Sequence, residues 1–178
     1  MKNNHIVLIG FKHVGKSTIG KLLSEKLSLP LTDLDREMEK QHAQTSGTAA
    51  SCREIYNTVG REKFRDLEHT VLQKSLLPKN RMVVSVGGGT AVDSRNQELL
   101  RAHTVILITS PKEAVYERIM LSGKPAFLSP DENTYDSFSK VWDEREKIHR
   151  GLAKITVANN GKTQEAVEQI MALLQEIV

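Results

Sequence analysis

The stretch Gly10-Phe11-Lys12-His13-Val14-Gly15-Lys16-Ser17-Thr18 follows directly on the apolar run Ile6–Ile9. It fits G-x-x-x-x-G-K-[ST] and lies between a predicted strand and a predicted helix, the setting in which that pattern forms a phosphate-binding loop. Glycine lets the backbone turn tightly so that successive N–H groups face an anion, and the helix N-terminus adds its dipole. Lys16 can reach the β- and γ-phosphates of a nucleotide, Ser17 can ligate Mg²⁺, and Thr18 can donate a further hydrogen bond. His13 occupies a position where related loops carry another glycine, so its backbone must accept the local geometry with a Cβ present.

Apolar runs rich in β-branched residues recur at Met82–Val86 and Val105–Ile108, with weaker candidates at Leu31–Asp33 and Ile155–Val157. Short, nearly continuous runs of this kind are strands covered on both faces, hence a parallel sheet. Helical stripes lie between them: Ile19, Leu22, Leu23 and Leu27; Phe64, Leu67 and Val71; Val167, Ile170, Met171, Leu174 and Val178. Ser110-Pro111-Lys112-Glu113 reads as a helix start, with Ser110 as cap and Glu113 closing a capping box. The alternation predicts a three-layer α/β fold on a five-stranded parallel sheet. Residues 41–51 read as a polar connection and residues 122–135 as an exposed loop with two prolines.

Three further segments bear on chemistry. Asp33 and Asp35, two residues apart at a strand end, would project to the same side, at the sheet edge if that strand neighbours the first. One carboxylate would then serve a metal and the other an acceptor hydroxyl; the alternative is a solvated acidic turn. Arg65 and Glu68 share a helix face, where Arg65 can fork onto a substrate carboxylate or simply form an exposed ion pair. Gly87-Gly88-Gly89 after the third strand suggests that something approaches the backbone closely there.

Composition removes several alternatives. A net charge of +3 with no block of consecutive Lys or Arg gives no nucleic-acid footprint. The single cysteine, Cys52, forms no internal disulfide and fits a reducing cytoplasm. No segment reaches membrane-spanning length, the N-terminal apolar run is too short for a signal peptide, and the six histidines show no metal-ligand spacing. A GTPase would need D-x-x-G and N/T-K-x-D segments, and the chain has neither.

Taken in order, GFKHVGKSTIG, DLD, EIYNTVGREKFRDLE, VVSVGGGT, SGKPAFL and DEREKIHRGLAKITV resemble the shikimate kinase family over nearly the whole chain. The resemblance implies a nucleoside-monophosphate-kinase-like single kinase domain: a core of 1–35, 80–121 and 152–178, an acceptor-binding insertion at about 36–79 and a lid at about 122–137. It implies transfer of the ATP γ-phosphoryl group to the 3-hydroxyl of shikimate with one Mg²⁺ ion, in a cytoplasmic monomer. His13, Val14, Gly15, Lys16, Ser17, Thr18, Arg118, Lys124 and Asn159 would bind ATP, and Ser17 and Asp33 the metal. Asp35 would read the shikimate hydroxyls and act as base, and Arg65 and Arg145 would clamp the carboxylate. Gly87, Gly88 and Gly89 would meet the acceptor through backbone groups, with Glu68 supporting them. Lys16, Asp35 and Lys124 would carry catalysis. The chain departs from the family at Lys124-Pro125, where arginine usually precedes proline, at Lys147-Ile148-His149, and at Arg61, where an acidic residue is common after Gly60. Gluconate kinases, or a non-catalytic nucleotide-binding module, are the other readings.

Overall fold

The computed structural model describes residues 4–123, 125, 128 and 133–176. The strands are β1 (Ile6–Ile9), β2 (Leu31–Asp33), β3 (Val83–Ser85), β4 (Thr104–Thr109) and β5 (Ile155–Ala158). The helices are α1 (Lys16–Leu27), α2 (Leu34–Ser46), α3 (Cys52–Ser75), α4 (Ser94–Leu100), α5 (Lys112–Leu121), α6 (Thr134–Leu152) and α7 (Thr163–Glu176), with a 3₁₀ turn at Thr90–Val92. All strand pairs are parallel, in the order β2-β3-β1-β4-β5, with Val7 opposite both Val84 and Val105.

β1 is fully buried because the sheet is covered on both faces. Side chains alternate across a strand: Ile6 and Leu8 join a core with α1, α5, α6 and α7. Val7 and Ile9 join a second core with α2, α3 and α4. Parallel pairing brings every strand's C-terminal end to one edge, where ligands of open α/β sheets bind. At that edge the phosphate-binding loop follows β1, Asp33 ends β2, the three glycines follow β3, Ser110 follows β4 and Asn159 follows β5.

Several expectations need correction. Residues 41–46 are helical: Leu34 and Met38 anchor α2 in the core, and the helix runs on until Gly47, at φ 74°, caps it. Only residues 47–51 connect α2 to α3, which starts on a Ser51–Glu54 capping box. Ser110 does not cap α5; its hydroxyl donates to the Asn159 carbonyl at 2.6 Å, tying the ends of β4 and β5 together, and Pro111 stands at the cap. Thr134 and Tyr135 belong to α6 rather than to a loop. β3 separates β2 from β1, and Asp33 ends β2 while Asp35 lies in the first turn of α2. Lys124 and Val178 fall outside the described residues. No described helix is long and apolar enough to cross a membrane.

Candidate functional site

The loop after β1 is held from behind. Gly15 sits at φ +97°, and a Cβ there would lie 2.4 Å from Asn159 Nδ2, so the left-handed turn and the close approach both require glycine. That amide donates to the Val14 carbonyl at 2.9 Å. Arg118 donates to the His13 carbonyl at 3.1 Å, and the His13 ring meets Ser122 Oγ at 3.0 Å. His13 takes φ +64°, the strained geometry its Cβ has to accept. Arg118 and Asn159 therefore brace the loop's carbonyls.

Lys16 is 8% exposed and donates to the carbonyls of Gly10 at 2.9 Å and Phe11 at 2.8 Å. Burial lowers its ammonium pKa to about 8, against the opposing pull of Asp35 and Asp33. Ser17 donates to Asp33 Oδ2 at 2.7 Å, so the hydroxyl and the carboxylate converge beside the start of α1. Thr18 is exposed in the first turn of that helix.

Beside the loop opens a cleft of about 610 Å³, the size range of small-molecule sites. Asp35, Arg65, Glu68, Gly87, Gly88, Gly89 and Arg145 all line it. The glycines are where three elements close on one another. A Cβ on Gly88 would lie 2.7 Å from the backbone nitrogen of Lys12, and one on Gly89 would lie 2.6 Å from the Arg65 guanidinium. A Cβ on Gly87 would lie 2.9 Å from Asp35 Oδ1. A side chain at Gly88 would press on the backbone of the phosphate loop, while one at Gly87 or Gly89 would displace the Asp35 carboxylate or the Arg65 guanidinium.

Arg65 pairs with Glu68, which is 2% exposed and also accepts from Thr90 Oγ1 at 2.7 Å. The pair is thus a fixed, half-buried device rather than a solvated helix ornament. Arg145 donates to the Gly88 carbonyl at 3.3 Å and lies over the Phe11 ring at 5.1 Å. Burial and the neighbouring Arg65 charge lower its pKa to about 10. Burial raises the Asp35 pKa, with Lys16 pulling the other way. Burial also pushes the half-buried Cys52 thiol up, with the charges of Asp35 and Glu39 adding to it.

Lys12, Arg53, Tyr56, Phe64, Arg61 and Glu144 also line the cleft. None was assigned to it from sequence. Arg53 lies within the Ser51–Glu54 capping box and Tyr56 just after it, and the S-x-x-E spacing of that box was the available signal.

His149, one turn beyond Arg145, is 1% exposed and neither ring nitrogen has a partner among the described residues. Burial first, then Lys16 and Arg145, lowers its pKa to about 3. An unfolded imidazole takes a proton near pH 6.5, so as pH falls the unfolded chain gains protons first and stability declines from there toward pH 3. At pH 5 the loss relative to pH 7 is about 2 kcal/mol from this group. His149→Leu is expected to remove that increment from urea unfolding measured at the two pH values.

A family model described as shikimate kinase matches residues 12–175. A shikimate kinase of Persephonella marina is 33% identical over 173 residues, covering 96% of this chain and 99% of that one. Among solved structures, shikimate kinase from Aquifex aeolicus is similar at TM-score 0.76 and 29% identity, over 97% of this chain and 96% of that one. Shikimate kinase from Acinetobacter baumannii, in complex with shikimate, is similar at TM-score 0.83 and 26% identity, over 97% and 93%.

Proposed function

The chain belongs to the shikimate kinase family, and from that premise we infer how its cleft carries out ATP-dependent phosphorylation of shikimate. The observation that supports the assignment of roles is the convergence of Asp35, Arg65 and Arg145 on one cleft beside the phosphate loop. Backbone amides of His13–Thr18 and the Lys16 ammonium hold the triphosphate, and residues from about 36 to 79 form the acceptor-binding part. The acceptor is a carboxylated polyol. Arg65 and Arg145 fork onto its carboxylate, and Asp35 takes up its 3-hydroxyl.

Phosphoryl transfer asks for positioning and charge neutralisation more than for covalent chemistry. In this reading Glu68 fixes the Arg65 fork, the Gly88 carbonyl and the Phe11 ring fix Arg145, and the backbone of Gly87–Gly89 forms the floor. Asp35 accepts the proton of the attacking hydroxyl. Lys16 leaves the Gly10 and Phe11 carbonyls to meet the γ-phosphate.

Kinases of this kind use a divalent ion with ATP, and we assign it as one Mg²⁺. No group of three or more His, Cys, Asp or Glu able to hold a metal occurs among the described residues. One hydroxyl and one carboxylate, Ser17 and Asp33, fit a hard cation that takes its other ligands from phosphate oxygens and water. When bound, it neutralises phosphate charge. We assign the enzyme as a monomer, and the lone cysteine fits the cytoplasm.

A coupled ADP-release assay with shikimate, gluconate and nucleoside monophosphates side by side tests the reading; release that depends on gluconate and not on shikimate overturns it. Arg65→Lys is expected to raise the shikimate KM about tenfold or more through loss of the fork, with little change in the KM for ATP. An unchanged shikimate KM removes Arg65 from the clamp.

A further inference from the structure

Helix α3 is broken at Gly60, whose φ of 82° and ψ of 168° are not helical, and Arg61 opens its second segment. Arg61 and Arg65 are one turn apart and share a face, since residues four apart on a helix are neighbours. Both line the acceptor cleft together with Arg145. The three differ in what they already hold. Arg65 is paired with Glu68, and Arg145 donates to the Gly88 carbonyl. Arg61 is exposed, with no ion-pair or hydrogen-bond partner among the described residues.

The charge balance of the cleft gives that difference a consequence. Its lining also carries Asp35, Asp93 and Glu144, besides Glu68. Glu68 cancels the Arg65 charge and Asp93 is held by Arg95. An entering carboxylate therefore meets Asp35 and Glu144 on one side and the buried Arg145 with the exposed Lys12 and Arg53 on the other, Arg53 being already turned to the Ser122 and Gly123 carbonyls. Arg61 adds an uncommitted guanidinium beside Arg65 and Arg145 on the cationic side. Its position at the exposed start of a helix segment suits capture more than chemistry, because charges at the rim of a site act chiefly on encounter and affinity.

We propose that Arg61 is a specificity-determining residue of the acceptor cleft, a third guanidinium that acts with Arg65 and Arg145 to select an acceptor bearing a carboxylate. The proposal rests on the acceptor reading given above. Arg61 sets affinity for the anionic acceptor and leaves the transfer step alone, so it acts on KM and not on kcat. Neutral acceptors of the same shape gain nothing from it.

The test compares shikimate with its uncharged carboxamide. Trp142 is the single tryptophan, stands between cleft residues Val141 and Glu144 on α6, and packs on Phe11 at 4.9 Å, so its fluorescence reports occupancy. Wild-type enzyme is expected to bind the acid tighter than the amide. In Arg61→Ala that ratio should shrink about fivefold, with the shikimate KM raised by the same factor and kcat within twofold. Arg61→Glu should raise the KM about twentyfold or more, and Arg61→Lys should restore most of the acid preference because a point charge suffices at the rim. An acid-to-amide ratio unchanged in Arg61→Ala, with wild type binding normally, overturns the role of Arg61 alone. Absence of any shikimate response and turnover in wild type overturns the acceptor reading itself.

Discussion

Lys16→Met is expected to lower kcat by at least about a thousandfold, because the one buried cation of the phosphate loop is removed where negative charge builds during transfer. In the structure the ammonium is stored on the carbonyls of Gly10 and Phe11. Those contacts are with neutral acceptors, and burial has already lowered the lysine pKa to about 8. A nucleotide's phosphates offer a better partner, so the side chain is poised to exchange carbonyls for phosphate oxygens, and its pKa rises as it does so. Two readings follow from one variant. Steady-state ADP release gives kcat, where a fall of less than tenfold removes Lys16 from the transfer step. Nucleotide affinity measured against pH gives the charge: in wild type it weakens above pH 8 as the free ammonium loses its proton. The methionine variant binds more weakly throughout and loses that alkaline limb. Thermal unfolding of the variant separates a damaged loop from a missing charge.

The central strands β1, β3 and β4 were legible because parallel strands buried on both faces leave nearly uninterrupted apolar runs, whereas the edge strands β2 and β5 are less buried and signal more weakly. β1 and β2 match the residues read from sequence, while the readings at β3, β4 and β5 differ by a residue or so at their ends. Local chemistry misled where a side chain had a distant partner. Ser110 looks like a helix cap, yet its hydroxyl serves Asn159, 49 residues away in sequence. Asp33 and Asp35 read as alternating strand positions, but Asp33 itself accepts from the Arg36 N–H as a helix cap, so the chain turns helical between them. The two carboxylates reach different tasks by a route that period-two alternation does not describe. Asp33 turns to Ser17, and Asp35 to the glycines after β3.

The three consecutive glycines show the same limit from the other side. Their number signalled close approach, but what approaches each of them is a matter of tertiary structure. Gly87 meets a carboxylate from α2, Gly88 meets backbone of the phosphate loop and Gly89 meets a guanidinium from α3. Arg61 was visible in sequence only as an unusual residue after Gly60. The break in α3 at that glycine, which starts the segment carrying Arg61 and Arg65 along the cleft, leaves no pattern in a helical periodicity count.

Asp35→Asn is expected to reduce kcat by about a hundredfold to ten-thousandfold, the range that general-base groups contribute. The amide keeps the shape of the carboxylate and can still hydrogen-bond the acceptor's hydroxyls, so the shikimate KM should move far less than kcat. Charge is what the substitution removes. Burial raises the Asp35 pKa, and the nearby negative charges of Asp33, Glu68 and Glu39 add to that, while Lys16 holds it back. A carboxylate with a raised pKa is a stronger base toward a sugar-like hydroxyl than an exposed one would be. The same shift fixes the sign of the pH dependence. In wild type, kcat/KM falls on the acid side as Asp35 takes up a proton, and it does so at a higher pH than an ordinary aspartate would dictate. In Asp35→Asn that acid limb disappears, and the residual rate varies only on the alkaline side, where the Lys16 limb moves to lower pH than in wild type because the Asp35 charge that raises its pKa is gone. A variant that keeps more than a tenth of wild-type kcat, or keeps the acid limb, assigns the base to another group. A KM that rises while kcat holds makes Asp35 a hydroxyl anchor and nothing more.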